Sequence, residues 1–379
     1  MIKIALKMLV GDRAKFIMLV SALSFAALLI TQQSAVFCGL MMWTTATIRN
    51  TDIPVWVVDQ NVEQSNDVKP LRDTDVTRVR SISGVEWAVP LYQSIQQARL
   101  ADGTFKSIQL VGVDPSSLIG APSIMIEGRP EDLWQAHAVI IDKLGIERMS
   151  MAGGKKLRVG DSFEINDHEA KIVGISNMSP SFTGHPYVYT TFDKAMEIVP
   201  PVRKNVGFIL VKNRSDVTPE ELAKRIEEQT DLRAYTSDQF FWSTIRWYFK
   251  NTGIPISFGT MIVLGFIVGI SVSGQTFYMF ILENMRYLGA LKAMGASNFT
   301  LCKMLMAQAF LSGFIGFGIG LGLSSIFGFF ALKMTQPPFY LPYQVILGTF
   351  TGIVLICFFA SFLGIYRISK LEAAEVFRG

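Results

Sequence analysis

The side chains with the widest chemical repertoire are few: this chain of 379 residues has three histidines and three cysteines. Zinc hydrolysis would need histidines at H-E-x-x-H spacing, and acyl transfer a nucleophile on a G-x-S-x-G turn. His137, His168 and His185 stand in no such arrangement, and no G-x-S-x-G occurs, so the histidines read as surface or loop residues. Cys38, Cys302 and Cys357 fall in or beside long apolar runs, offer no disulfide framework, and read as apolar fillers. A phosphate-cradling G-x-x-x-x-G-K-[ST] is also missing, since Lys155-Lys156 after Gly153-Gly154 lacks the upstream glycine and the hydroxyl residue. No catalytic, cofactor-binding or metal-ligating residue is therefore expected. If ATP drives this protein, another chain binds it.

One stretch does suggest work of another kind. Glu283 to Ser297 reads ENMRYLGALKAMGAS, a charged-and-small segment between two long apolar runs. A short helix with small residues at Gly289, Ala293 and Gly295 fits a groove on a partner and can receive force through a rigid contact. Glu283, Arg286 and Lys292 would fix its orientation, and Leu288, Leu291 and Met294 would fill the groove.

The elements that must hold this segment are membrane helices. The chain is 50% hydrophobic and 17% charged, with a mean hydropathy of +0.35, which fits a membrane protein carrying a soluble domain. Four stretches reach the roughly 20 apolar residues needed to cross a hydrocarbon core: Ile17 to Met42, Ile254 to Leu282, Met304 to Leu332 and Leu341 to Tyr366. None of them contains Asp, Glu, Lys or Arg, which disfavours an ion- or proton-coupled carrier. Orientation follows from the positive residues at their ends. Lys3, Lys7, Arg13 and Lys15 precede the first span, Arg286, Lys292 and Lys303 separate the second from the third, and Arg367, Lys370 and Arg378 close the chain. The loop between the third and fourth holds only Lys333. Both termini and the Glu283 segment are thus expected in the cytoplasm, and the region between the first two spans outside.

Aromatic residues support those boundaries: Trp43 ends the first span, and Phe240, Phe241, Trp242, Trp247, Tyr248 and Phe249 lead into the second. The first run is too long for a signal-peptide core and no A-x-A site follows it, so it reads as a membrane helix. Before it, Ile2, Leu6 and Leu9 at helical spacing beside Lys3 and Lys7 suggest a short amphipathic helix.

The outer region reads as α/β at both ends. Pro54 to Val58, Trp87 to Leu100 and Phe105 to Val113 are expected strands, Asp75 to Ser81 a helix, and Asp102-Gly103 a hairpin turn. Later, Val206 to Val211 and Leu232 to Tyr235 flank a helix opened by Thr218-Pro219-Glu220-Glu221, a capping box with proline in the first turn. Between these units, about 124–199, turn pairs at Gly153-Gly154, Gly160-Asp161 and Asn166-Asp167 separate short apolar strands such as Leu157 to Val159 and Ala170 to Val173. That pattern predicts a β-rich insert.

In the membrane runs, Gly265 and Gly269 of the second span and Gly316, Gly318, Gly320 and Gly322 of the third form small-xxx-small pairs. These predict a close helix seam, within the subunit or across a dimer.

The Glu283 to Ser297 segment resembles the cytoplasmic signature of FtsX-like and MacB-like permeases of ABC transporters, of the form E-x-x-x-[ED]-x-[GA]-x-[LM]-[KR]-A-[LM]-G-[AY]-[ST]. At the fifth position, where many members are acidic, this chain has Tyr287. The close of the chain, Leu371-Glu372-Ala373-Ala374-Glu375-Val376-Phe377-Arg378, resembles the family's D-P-A-E-x-[LF]-R with Glu-Ala in place of Asp-Pro.

The resemblance implies a membrane α-helical fold with four transmembrane helices and a large extracytoplasmic α/β domain interrupted by the β-rich insert. Its parts are 1–43 (amphipathic helix and first span), 44–251 (outer domain) and 252–379 (three spans, with the coupling segment at 283–303). It also implies a non-catalytic permease subunit in a homodimer, driven by two copies of a separate ABC ATPase and working by mechanotransmission. An adaptor protein and a TolC-like outer-membrane channel are the implied export partners, as in the DevC-type branch, and no nucleic acid is expected. An FtsX-like regulator of a cell-wall hydrolase, a lipoprotein-releasing permease and a membrane-anchored enzyme remain open at this level.

Overall fold

The computed structural model describes residues 2–152, 157–200, 205–333 and 337–369; the expected C-terminal motif and the Gly153-Gly154 turn lie outside them. The chain divides into two compact units, one of 1–40 with 253–379 and one of 41–252.

The chain opens with α1 (Ile2–Gly11) and α2 (Arg13–Thr44). The outer unit follows with α3 (Ala46–Thr51), β1 (Val55–Asp59), α4 (Asp73–Arg80), β2 (Val85–Arg99), β3 (Phe105–Val113) and β4 (Met125–Glu127). It continues through β5 (Ala138–Asp142), α5 (Lys143–Ala152), β6 (Ser162–Ile165), β7 (His168–Ser176), β8 (Tyr187–Thr191) and α6 (Phe192–Ile198). It closes with β9 (Phe208–Asn213), α7 (Pro219–Gln229), β10 (Leu232–Thr236) and α8 (Ser237–Asn251). The membrane unit then resumes as α9 (Ile254–Glu283), α10 (Met285–Ala293), α11 (Asn298–Lys333) and α12 (Tyr343–Ser369). Of these, α2, α9, α11 and α12 are long and apolar enough to cross a membrane.

The strands of the outer unit form one ten-stranded sheet in the order β10-β1-β9-β2-β3-β8-β5-β7-β4, with β6 beside β2 and β7. Strand β2 joins its halves, pairing β9 through Val85–Leu91 and then β3 through Tyr92–Arg99. The insert strands therefore extend the α/β sheet, and the insert also carries α5 and α6. Residues 157–159, expected as a strand, are in none. Side chains take their amide protons instead: Ser150 Oγ accepts from Leu157 N at 2.9 Å and Asp161 Oδ2 from Arg158 N at 3.0 Å, which bends the chain into the Gly160 turn.

Strand β1 is buried along Val55–Val58 because it lies between two neighbours, and its Trp56 packs edge-on to Phe208 at 5.6 Å between ring centroids. The edge strand β10 is blunted. Its outward amides at Leu232, Ala234 and Thr236 donate to the side chains of Thr230, Glu227 and Gln239, leaving no free ladder for another chain to extend.

In the membrane unit, Ala5 and Leu9 of α1 are buried among the spans, and the Gln308 amide donates to the Ala5 carbonyl at 2.7 Å. The N-terminal helix is thus packed into this unit along one face while Ile4 and Val10 stay exposed.

Candidate functional site

The Glu283 to Ser297 stretch folds as the nine-residue helix α10 with tightly made ends. At its C-terminus, Gly295 takes φ +95°, its N–H donates to the Lys292 carbonyl, and the Ala296 N–H donates to the Leu291 carbonyl, both at 3.0 Å. This six-to-one and five-to-two pair satisfies the last carbonyls of the helix, and a residue with a Cβ would be strained at Gly295. Ser297 then caps α11, accepting the Thr300 N–H at 3.2 Å. A Gly-x-Ser run therefore turns the chain from α10 into α11 within three residues.

The two faces of α10 differ, and the inward face corrects the sequence expectation. Leu288 and Leu291 were expected to fill a partner's groove, but they are 3% and 9% exposed and belong to the chain's own core with Phe277, Phe280, Leu301 and Leu305. A nine-residue helix is too short to hold its shape alone, so its apolar stripe docks on the spans that flank it. Gly289 is buried on the same side, and Lys292 is half-buried. What faces outward is Arg286, Tyr287, Ala293, Met294 and Gly295, with Tyr287 67% and Met294 76% exposed. Tyr287, the residue departing from the expected acidic position, thus stands in the exposed set.

Glu283 is engaged within the chain. Its carboxylate forms an ion pair with Lys15, and Lys15 also bonds Asp12 at 2.7 Å. The Lys15 hydrogen bond holds the Asp12 carboxyl below its ordinary value. Lys15 and Glu283 are 268 residues apart, and no local spacing announces the pair.

The glycine positions separate by helical phase. A methyl built on Gly316 would lie 2.7 Å from Leu23 Cβ, and one on Gly320 2.5 Å from the Ser24 carbonyl oxygen and 2.6 Å from Ala27 Cβ. On α9, a methyl at Gly269 would reach Ile356 Cδ1 at 2.8 Å and Ala26 Cβ at 2.9 Å, whereas Gly265 has ordinary room beside Leu29 at 3.4 Å. Gly318 and Gly322 meet nothing within 4 Å among the described residues, so they take no part in this seam. Two further close approaches escaped the sequence reading because their partner is in a distant loop: Phe339 packs against both Gly39 and Gly328.

In the outer unit, His137 and His168 come together along one cavity of about 430 Å³ with Glu169 and Glu197, yet no group of three or more His, Cys, Asp or Glu among the described residues is arranged to hold a metal ion. The three cysteines are free.

A profile of the FtsX-like permease C-terminal domain matches residues 240–373, and a profile of the MacB-like periplasmic core domain matches residues 33–229. The chain belongs to the FtsX-like, MacB-like family of ABC transporter permeases. It is accordingly a membrane protein with an extracellular domain, and its family is the permease component of ABC transporters, generally non-catalytic. Solved structures similar to it include the extracellular domain of the noncanonic ABC-type transporter YknZ from Gram-positive bacteria, at 16% identity and TM-score 0.35, covering 48% of this chain and 98% of that one. Another is the periplasmic region of MacB from Actinobacillus actinomycetemcomitans, at 17% identity and TM-score 0.39, covering 54% and 96%. A third is a domain of a permease protein from Porphyromonas gingivalis, at 15% identity and TM-score 0.33, covering 49% and 90%.

Proposed function

We propose that this FtsX-like permease couples a separate cytoplasmic ABC ATPase to its extracellular domain, and that the outward face of α10 is the contact. The observation that carries this reading is the two-sided burial of α10. A helix anchored by Leu288 and Leu291 to the helices on either side of it cannot be pushed without moving them, while Arg286, Tyr287 and Met294 remain available to a partner. The Lys15–Glu283 ion pair adds a link from the base of α9 to the base of α2.

A route outward also exists in the chain itself. Helix α2 is unbroken from Arg13 to Thr44, so in this reading a push at its inner end travels along one hydrogen-bonded rod. In this reading both termini are cytoplasmic, the membrane is a bacterial inner membrane, ATP is bound by the partner, and two copies of the chain pair in the assembly. Export with an adaptor protein and an outer-membrane channel follows from the family resemblance. The permease itself needs no cofactor.

The test separates the two faces of α10. Tyr287→Asp with Met294→Asp places charge where a partner would desolvate it, and is expected to abolish co-purification of the ATPase while the permease keeps its melting temperature. Leu288→Asp is expected to lower the yield of folded permease instead. If the Tyr287/Met294 variant retains the ATPase and its permease-stimulated hydrolysis in proteoliposomes, α10 is only a connection between spans.

A further inference from the structure

Against β2 and β3 of the outer unit lies a cavity of about 820 Å³, of the size that small-ligand sites have. Its lining is built largely of amides, with Asn66, Gln93, Gln96, Gln97, Gln109 and Asn166 all contributing. Among the described residues no lysine, arginine or histidine lines it, and its one carboxylate, Asp67, stands 3.8 Å from the Lys69 ammonium. An anion would find no counter-charge there, and a cation would have to compete with Lys69. The lining suits an uncharged ligand.

The amides are fixed in place, and the fixing decides which hydrogen-bonding groups are left. Asn166 donates to Gln96 Oε1 at 2.8 Å and to the Ile198 carbonyl at 3.3 Å. Gln96 donates to Ser94 Oγ at 2.7 Å and to Tyr92 Oη at 3.4 Å. Asn66 donates to the Thr44 carbonyl at 2.8 Å and to the Tyr248 hydroxyl at 3.4 Å. An amide nitrogen carries two protons, so all three side chains already use their donors within the domain. Asn66 and Asn166 keep their carbonyl oxygens for a ligand that brings donors of its own.

Two buried amides are incomplete. Gln93 is 3% exposed and its nitrogen donates to Thr47 Oγ1 at 3.2 Å, but its Oε1 has no partner among the described residues. Gln109 is 7% exposed and lines the cavity, and its side chain makes no hydrogen bond among the described residues. A buried polar group without a partner is destabilising, so these amides mark a place where a ligand can supply the bond. Ile95, directly opposite Gln109 in the β2–β3 ladder and 43% exposed, adds an apolar patch between them.

We propose that this cavity binds an uncharged oligosaccharide from the extracellular medium. Each sugar hydroxyl has a proton for a carbonyl oxygen of Asn66 or Asn166 and lone pairs for the amide of Gln109, and the C–H face of a ring fits against Ile95. A peptide is the poorer complement, because its carbonyls would find the donors of Asn66, Gln96 and Asn166 taken. More than one ring is needed: Gln93 and Gln97 are four strand residues apart, roughly 13 Å. Asn166 stands at the Gln97 end of that span, just after Ile165 pairs with Ala98.

The full chain is purified in a polyoxyethylene detergent, since glucoside and maltoside headgroups would themselves compete. Calorimetric titrations then compare maltotriose and triacetylchitotriose with deacetylated chitotriose (cationic), trigalacturonate (anionic) and acetyl-trialanine amide. At least one of the two neutral sugars is expected to bind saturably, once per chain, about tenfold or more tighter than the charged sugars and the peptide. Gln109→Leu removes the free amide and breaks no hydrogen bond among the described residues. It is expected to weaken the sugar by about three- to tenfold at an unchanged melting temperature, the scale of one hydrogen bond. Gln97→Glu, on an exposed side chain, is expected to shift preference toward the cationic trimer. Failure of both neutral sugars to bind, equal or tighter binding of a charged sugar or the peptide, or undiminished binding by Gln109→Leu overturns the proposal. Binding of dodecyl maltoside without maltotriose overturns the free saccharide as the occupant. No ATPase is present in the assay, so its outcome is independent of the α10 contact.

Discussion

Gly320 and Gly322 are two residues apart on α11, a rotation of roughly 200°, and their surroundings are opposite. A methyl at Gly320 meets backbone atoms of α2, the Ser24 carbonyl at 2.5 Å and the Leu28 N at 2.8 Å, which cannot swing aside as a side chain can. Gly320→Ala is therefore expected to force the helices apart and to cost about 1–3 kcal/mol, the usual range for overpacking. Gly322→Ala meets nothing within 4 Å among the described residues and improves helix propensity, so it should be neutral or slightly stabilising within one subunit. Thermal unfolding of the two purified variants decides the matter, and equal melting temperatures would remove the seam from Gly320. The four glycines of α11 were equivalent as a small-residue pattern; phase against α2 separates them, and phase needs the partner helix.

Helix α5 shows how one element couples burial to pH. Asp142 ends β5 and caps α5, its Oδ1 accepting the Gly145 N–H at 2.9 Å, while Oδ2 is buried without a hydrogen-bond partner among the described residues. Burial pushes its carboxyl up to about 7 from 3.8, against the opposing pull of the Gly145 and Tyr187 amides and the Arg148 charge. The folded state prefers the protonated acid, so the cost of ionising it is absent below about pH 4, grows as the pH rises and is complete above about pH 7. Asp142→Asn keeps the cap and removes the titration. Relative to wild type it should gain stability from pH 5 to pH 8, by an amount on the order of 4 kcal/mol at most. His185 nearby, held below its ordinary value by burial and by Arg148, works in the other direction in both proteins, so the difference between them isolates Asp142. Chemical unfolding at pH 5, 6.5 and 8 measures this, and parallel curves would sink it. Elements announced by local chemistry were legible: the β3 bounds and the Thr218 capping box, with Glu221 N–H donating to Thr218 Oγ1 at 3.3 Å, could be read from the residues. Strands β5 and β8 are buried along their whole length and lack alternation, so their sequences look alike as strand or core helix. The segment that forms α10 stood out by its pattern, but which of its faces docks on the protein depended on Phe277, Phe280 and Leu305 from other helices.

At the scale of the whole molecule, the distribution of cations across four spans sets a direction for the mechanism. Lys7, Arg13 and Lys15 flank the start of α2, and Arg286, Lys292 and Lys303 flank the α9–α11 connection, whereas the α11–α12 connection has only Lys333, the last residue of α11, at its edge. Short basic loops are retained on the cytoplasmic side during insertion, so the proposed contact, which needs α10 on the side of the ATPase and residues 44–251 outside, is the arrangement these charges favour. Exposed reporter positions are available in both regions. Ser297 is exposed after the positive-φ Gly295, and Asp102 is exposed in the turn where Gly103 takes φ +81° and the Gly103 N–H donates to the Leu100 carbonyl at 2.8 Å. A reporter active only in the cytoplasm should signal when fused after Ser297 and stay silent when inserted near Asp102, and one active only outside should do the reverse. Reversed signals at the two sites would place α10 on the far side from ATP. The proposed coupling contact would then be impossible, however well its exposed face is built.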